Sequence, residues 1–179
     1  CSIGSGGGKS TFVKAVAAPF RRRGGRVIVI DVVKRGASAK WAKDVDGIEV
    51  VRSPARAHEL LLALAEEVSV RCEQAWHNDG PVDKTPILLV VEEANATTGK
   101  LQRYWTEDLE GTKTSPALAA LADVLCVGRE ARTHVLTVAQ QGTARATGGG
   151  AARENYGLRV LSRFTRQTAK MLVPELGPH

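Results

Sequence analysis

Short apolar runs rich in β-branched residues alternate along the chain with longer segments of helical periodicity. Residues 27–30, within the run at 26–31, and all of 87–91 are apolar, which is typical of parallel strands that are covered on both faces. Shorter runs predict further strands at 47–51, 134–139 and 158–161. Because strands that alternate with helices form parallel sheets, the pattern predicts an α/β fold with a mostly parallel, doubly wound sheet flanked by helices.

Three segments have the periodicity of helices packed on a core. The first follows a glycine cluster and is predicted to end near Pro19, because proline breaks the hydrogen bonding of a helix interior. The second begins at Ser53 and Pro54, which is a typical helix start, and continues with a leucine stripe. The third runs from 116 to about 127. Two polar segments supply no predicted element: 78–86, which is interpreted as a surface loop, and 97–115.

The composition is that of a globular, basic protein. Of 179 residues, 43% are hydrophobic and 25% are charged, which excludes collagen-like and wholly disordered chains. The 25 Lys and Arg outnumber the 19 Asp and Glu, and the net charge of +6 favours polyanionic partners. Three cysteines without a CxxC pair indicate a reducing, cytoplasmic setting. No apolar run approaches the ~20 residues that cross a bilayer, so no membrane segment is predicted in this chain.

The segment Ile3-Gly-Ser-Gly-Gly-Gly-Lys-Ser-Thr11 carries the most informative chemistry. Small residues let backbone N–H groups surround phosphate oxygens, and the helix that begins here adds its positive end. In this interpretation Lys9 contacts the β and γ phosphates of ATP, and the Ser10 hydroxyl binds Mg²⁺. The predicted nucleotide-binding residues are Gly4, Ser5, Gly6, Gly7, Gly8, Lys9, Ser10 and Thr11. A flexible glycine linker is the alternative.

This loop departs from the P-loop pattern GxxxxGK[ST] at one position, because Ile3 stands where the pattern has glycine. The pattern also expects a buried strand before the loop, and only the first residues of the chain can supply it. We therefore expect a single domain over 1–179 that is shortened at its N-terminal strand and at its C-terminus.

Two acids follow the strand predicted at 87–91, as in a Walker B strand. Adjacent residues at a strand end point in different directions, so the two carboxylates can hold different tasks. We assign Glu92 to the metal, through water, and Glu93 to polarisation of the attacking water. The usual first acid is Asp, so Glu92 is a second departure. Two solvated acids at a strand end are the alternative interpretation.

Gln141 follows the strand predicted at 134–139. It fits a sensor that hydrogen-bonds the γ-phosphate or the attacking water, because ligands of open α/β sheets bind outside the carboxyl ends of the strands. An ordinary surface glutamine is the alternative.

The order of these motifs resembles the FtsK/SpoIIIE branch of the FtsK–HerA ring motors, which includes the TraB-type plasmid transfer proteins of actinomycetes. The matching positions run through nearly the whole chain: Gly8 to Ser10, Val27 to Asp31 with Lys34, Val90 to Glu93, Gly128 and Arg129, Ala139 to Gln141, Glu154 and Asn155, and Leu158 to Val160. The resemblance implies a RecA-like P-loop NTPase that hydrolyses ATP and pulls double-stranded DNA through a homo-oligomeric ring, usually a hexamer. It also implies a role in plasmid conjugal transfer.

In such rings ATP lies between neighbours, and an arginine of the next subunit completes the catalytic site. The candidates for this arginine are, in order, Arg129, then Arg132, Arg159 and Arg163. A hypothesis for the DNA-facing loop is the segment with Lys100, Arg103, Tyr104, Trp105 and Lys113, with a packed tryptophan as the alternative. The family's upstream anchors imply tethering to a membrane through segments absent from this chain.

Two other functions remain open at this point. One is a secretion ATPase domain like those of EccC-type relatives, in which the ring acts on protein substrates. The other is an ATP-binding module with little hydrolysis. Stimulation of ATP hydrolysis by duplex DNA distinguishes the DNA motor from both.

Overall fold

The computed structural model describes residues 2–3, 8–78, 84–139, 155–158 and 160–162. Strands and helices alternate, as the sequence predicts. In chain order they are β1 (Ser2–Ile3), α1 (Lys9–Arg22), β2 (Arg26–Ile30), β3 (Ile48–Val51), α2 (Pro54–His77), β4 (Ile87–Val91), α3 (Ala94–Arg103), α4 (Pro116–Val127), β5 (Thr133–Thr137) and β6 (Leu161–Ser162). A 3₁₀ segment at Ala37–Ala42 precedes β3, and a π-helical turn at Tyr104–Asp108 follows α3.

Four parallel strands form the central sheet, in the order β3-β2-β4-β5. Ile30 at the end of β2 lies beside Val91 at the end of β4, and Val91 lies beside Thr137 at the end of β5. The carboxyl ends of these strands therefore share one edge of the sheet. The short strands β1 and β6 form a separate parallel pair. The architecture confirms the predicted α/β fold with a parallel sheet flanked by helices.

Alternate residues of the sheet face two different layers. Val27 and Val29 of β2 pack with Val13 and Ala17 of α1 on one face. Ile28 and the other alternate residues of β2 and β4 pack on the opposite face with residues of α2, α3 and α4. Every residue of β4 is buried, because helices cover both faces at this strand. The result is a three-layered base for the loops that follow the strands.

Helix α2 has the start and the buried stripe that the sequence predicts. The Ser53 hydroxyl accepts the N–H of Arg56 at 3.3 Å, and Pro54 occupies the first helical position. Its apolar residues are buried against the sheet and α4: Leu60, Leu61, Leu64 and Val68. Among the described residues, no helix combines the length and the apolar character that crossing a bilayer demands.

Two predicted boundaries are wrong, and one segment without a predicted element is helical. Helix α1 continues through Pro19 to Arg22, because Phe20 packs against the core on this face and the chain turns only at Gly24, whose φ is 84°. The segment 97–115 contains most of α3 and the π-helical turn. The strand predicted at 158–161 is observed at Leu161–Ser162, where it pairs with β1.

Candidate nucleotide-binding site

Gly8 precedes α1 in a conformation that suits the end of a phosphate loop. Its φ of 79° lies in the left-handed region, which glycine adopts without the strain that a side chain adds. Its carbonyl accepts the N–H of Phe12 at 2.9 Å, so Lys9 and Ser10 lie in the first turn of α1. The first N–H groups of a helix have no partner within it, and this end of α1 therefore fits a phosphate. The predicted cradle at 4–7 lies outside the described residues.

The loop after β2 is held by a buried carboxylate. Asp31 is fully buried, and its Oδ1 accepts the N–H of Lys34 at 3.1 Å. Its Oδ2 accepts the N–H of Ser38 at 2.9 Å. These two bonds fix the backbone on both sides of the turn, so the position of the Lys34 backbone relative to the end of β2 is determined by Asp31.

Glu93 connects β4 to α3 and contacts two lysines. It is the N-cap of α3, with φ 47° and ψ 50° in the left-handed region. Its Oε1 lies 3.4 Å from the Nζ of Lys9 and accepts a hydrogen bond from the Nζ of Lys34 at 2.9 Å. The side chains of Glu93 and Lys9 are each only 10% exposed. The hydrogen bond to Glu93 raises the pKa of Lys34 above its ordinary value.

Glu92 is buried beside this cluster, with 2% of its surface exposed. Its N–H donates to the carbonyl of Ile30 at 3.0 Å, and its own carbonyl accepts the Thr97 hydroxyl at 2.7 Å. Burial, and next the negative charge of Asp31, raise the pKa of the Glu92 carboxyl. A cation beside this desolvated acid would offset both effects.

The donor set at this edge of the sheet fits a magnesium ion. The Glu92 carboxylate and the Ser10 hydroxyl are hard oxygen donors, and Mg²⁺ at nucleotide sites takes only one or two carboxylates while it keeps waters and phosphate oxygens. Glu92 is buried and lies near Asp31, so the protein compensates its negative charge only in part, and its pKa is raised for the same reasons. Ser10 and Glu92 would hold the ion. Bound magnesium would neutralise negative charge on the phosphates.

The structure brings Lys9 and Glu93 into contact and places Glu92 close to both. Gln141 lies outside the described residues. The chain that leads to it passes the site, since Val138 donates its N–H to the Val91 carbonyl and accepts the N–H of Ala94, each at 2.9 Å. The position of Gln141 as a sensor remains a prediction.

Arg129 lies at the opposite end of the sheet from Glu93. It is exposed in the turn before β5, and β5 begins with Thr133 beside Ile87, the first residue of β4. A five-residue strand spans about 16 Å, so Arg129 is separated from the site of its own chain by the length of β4. Arg129 therefore does not belong to the cluster around Glu93 in its own chain. Arg132 lies in the same turn, and Arg159 and Arg163 lie outside the described residues.

The segment proposed to face DNA uses its aromatic residues for packing. The Trp105 ring stacks on His58 with ring centres 5.8 Å apart and planes 13° apart. Its indole N–H donates to the carbonyl of Thr112 at 3.1 Å. The packed tryptophan of the alternative interpretation is thus observed, and the exposed cations of the segment are Lys100, Arg103 and Lys113.

Sequence reasoning assigned no role in the site to Asp31 or to the side chain of Lys34. The available signal was the position of Asp31 at the end of a buried strand, where the parallel strands share an edge. That placement predicts proximity to Glu93. It does not predict that the loop after β2 brings Lys34 to Glu93, because the turn of that loop depends on the hydrogen bonds that Asp31 accepts.

Comparison with known proteins supports this view of the fold. No family model and no curated protein matches the sequence. Among solved structures, the chain is similar to the pCW3 conjugation coupling protein TcpA, in its monomer form with ATPγS, with a TM-score of 0.78 and 15% identity. The similarity covers 97% of this chain and 51% of that protein, so the chain spans about half its length. The protein therefore has the fold of the matching part of that coupling protein, which confirms the fold implied by the motifs that resemble the FtsK/SpoIIIE branch.

Proposed function

We propose that this chain is an ATP-driven motor domain that hydrolyses ATP and translocates double-stranded DNA in plasmid conjugal transfer. The observation that carries the proposal is the contact between Lys9, at the start of the helix after the glycine loop, and Glu93, at the end of a buried strand, at 3.4 Å. Phosphoryl transfer to water needs a cation on the phosphates and a group that orients the attacking water, and this contact places one candidate for each at the same edge of the sheet. A structural neighbour that is a conjugation coupling protein with ATPγS adds support for nucleotide binding and for conjugation.

The residues of the site divide the work of hydrolysis among them. Lys9 and the N-terminal end of α1 bind the β and γ phosphates and stabilise the charge that develops on them. Ser10 and Glu92 hold the Mg²⁺ that accompanies the nucleotide. Glu93 orients and polarises the attacking water. Gln141 senses the γ-phosphate from the strand next to β4 in this proposal.

The proposal includes a homo-oligomeric ring, a hexamer, in which Arg129 completes the site of a neighbour. Its location at the far end of the sheet from its own Glu93 fits a role between subunits. The net charge of +6 and the exposed Lys100, Arg103 and Lys113 fit a polyanionic partner. We place the domain in the cytoplasm, with tethering to a membrane through segments outside this chain.

Steady-state ATP hydrolysis with and without linear duplex DNA, over a series of salt concentrations, tests the proposal. We expect DNA to stimulate hydrolysis and raised salt to suppress the stimulation, because phosphate contacts release counterions. Lys9→Ala should abolish hydrolysis, whereas Lys14→Ala, an exposed lysine of the same helix, should not.

Two outcomes contradict the proposal and point elsewhere. Hydrolysis that is indifferent to DNA and responds to a peptide favours the secretion ATPase. Binding of ATPγS without hydrolysis of ATP under any of these conditions favours the ATP-binding module.

A further inference from the structure

One oxygen atom of Glu93 holds two ammonium groups that have different origins. The Nζ of Lys9 comes from the helix that follows the phosphate loop and lies 3.4 Å from Oε1. The Nζ of Lys34 comes from the loop after β2 and lies 2.9 Å from the same atom. The lysine expected to bind phosphate is therefore in contact with the acid expected to act on water.

Binding of a triphosphate changes the charge balance at this oxygen. Lys9 has to turn toward the β and γ phosphates, and its contact with Glu93 then weakens. The Glu93 carboxylate would be left close to a polyanion, and two negative charges in a shielded site repel each other strongly. Lys34 is the second lysine in contact with this oxygen, and it comes from the loop after β2 and not from the phosphate loop.

The Lys34 contact differs from an ordinary surface ion pair. The Lys34 side chain is 45% exposed, but the Glu93 side chain is only 10% exposed, and the Lys34 N–H is held by Asp31 at 3.1 Å. By contrast, Arg103 and Glu107 pair at 3.6 Å with both side chains about 70% exposed, and pairs of that kind contribute little. The Lys34 contact therefore joins a shielded acid to a lysine whose backbone position is fixed by a separate hydrogen bond.

We propose that Lys34 is a positioning residue that retains Glu93 when nucleotide binds and so releases Lys9 to the phosphates. This inference rests on the proposed function only in taking a nucleoside triphosphate as the ligand. Lys34 is proposed to affect the affinity for the triphosphate only through Glu93. Removal of Lys34 should therefore weaken binding when Glu93 is charged and have little effect when it is not.

The test is a double-mutant cycle read by binding of ATPγS with magnesium, which needs no turnover. We expect Lys34→Met to weaken binding about tenfold, which is the size of a lost charged hydrogen bond. Lys34→Arg, which keeps the charge, should stay within about threefold of the wild type. Glu93→Gln combined with Lys34→Met should bind within about threefold of Glu93→Gln alone. Lys40→Met, an exposed lysine on the following 3₁₀ segment, is the matched control.

The outcomes separate this inference from the proposed function. Suppose that the wild type binds ATPγS. If Lys34→Met then binds it equally well, or if Lys34→Met weakens binding as much in the Glu93→Gln background as in the wild type, the role of Lys34 is overturned and nucleotide binding stands. Wild-type protein that does not bind ATPγS overturns both. Thermal melting of every variant, with Lys34→Gln in parallel as a polar replacement, ensures that the weakened binding is measured on folded protein.

Discussion

Lys9 and Glu93 meet at 3.4 Å although the helices that carry them pack on opposite faces of the sheet. Lys9 is the first residue of α1, and Glu93 is the N-cap of α3. The N-terminal ends of two helices therefore converge at the edge where β4 ends. Because each helix carries partial positive charge at its N-terminus, both favour an anion at this point. The contact thus marks where the γ-phosphate and the attacking water are expected.

Glu93→Gln should lower the rate of ATP hydrolysis at least about 100-fold, because an amide cannot accept a proton from the attacking water. Binding of ATPγS should be retained, since the substitution also frees Lys9 from its contact at 3.4 Å. Steady-state hydrolysis and equilibrium binding, measured on the same preparation, check both statements. Glu66→Gln, an exposed acid of α2, should leave both unchanged. Unaltered hydrolysis by Glu93→Gln would show that the catalytic assignment is wrong.

Asp31→Ala should lower the free energy of unfolding by about 2 kcal/mol, because it leaves the N–H groups of Lys34 and Ser38 without their acceptor. Asp31→Asn keeps one acceptor oxygen and should have an intermediate effect. Urea denaturation measures both. Asp46→Ala, which removes an exposed partner of Arg21 at 2.8 Å, should change the free energy by less than about 1 kcal/mol. Equal effects of Asp31→Ala and Asp46→Ala would mean that Asp31 does not hold the loop.

The elements that the sequence predicted well are those whose apolar residues are continuous. The buried strand at Ile87–Val91 and the helix at Pro116–Val127 have the predicted bounds, because their composition leaves no other arrangement. Helix α3 was missed because the buried side of the helix includes Thr97 and Thr98, so no continuous apolar stripe indicates it. Thr97 is buried because its hydroxyl binds the Glu92 carbonyl, which is a tertiary contact that periodicity cannot reveal.

The convergence of the phosphate-loop lysine with the strand-end acid was predictable, since the carboxyl ends of parallel strands share one edge. The part that Lys34 plays was not, because it depends on how Asp31 folds the loop after β2. The sequence likewise left two interpretations of Trp105 open. Only the stacking on His58 distinguishes them.

Glu92→Gln should stabilise the protein at neutral and alkaline pH when no nucleotide is added and magnesium is removed with a chelator. Burial raises the pKa of Glu92, so the folded state binds the proton more tightly than the unfolded state does. Its contribution to stability is present at acid pH and is lost as pH rises through the raised pKa. The melting temperature of the wild type should fall from about pH 5 to about pH 8, and that of Glu92→Gln should fall less. Parallel curves for the two proteins would contradict a raised pKa at this residue.

Leu61→Ala and Leu62→Ala form a matched pair that tests the core beneath the site. Leu61 is fully buried between the sheet and α4, whereas its neighbour Leu62 is 39% exposed on the same helix. Both substitutions remove the same atoms and change helix propensity equally, so their difference reports burial. Leu61→Ala should lower the free energy of unfolding by about 3 kcal/mol through lost burial and the cavity that remains. Leu62→Ala should lower it by less than about 1 kcal/mol. Urea denaturation with an unchanged m-value checks the pair. Similar losses of unfolding free energy for both variants would mean that α2 is rotated about its axis relative to the arrangement described.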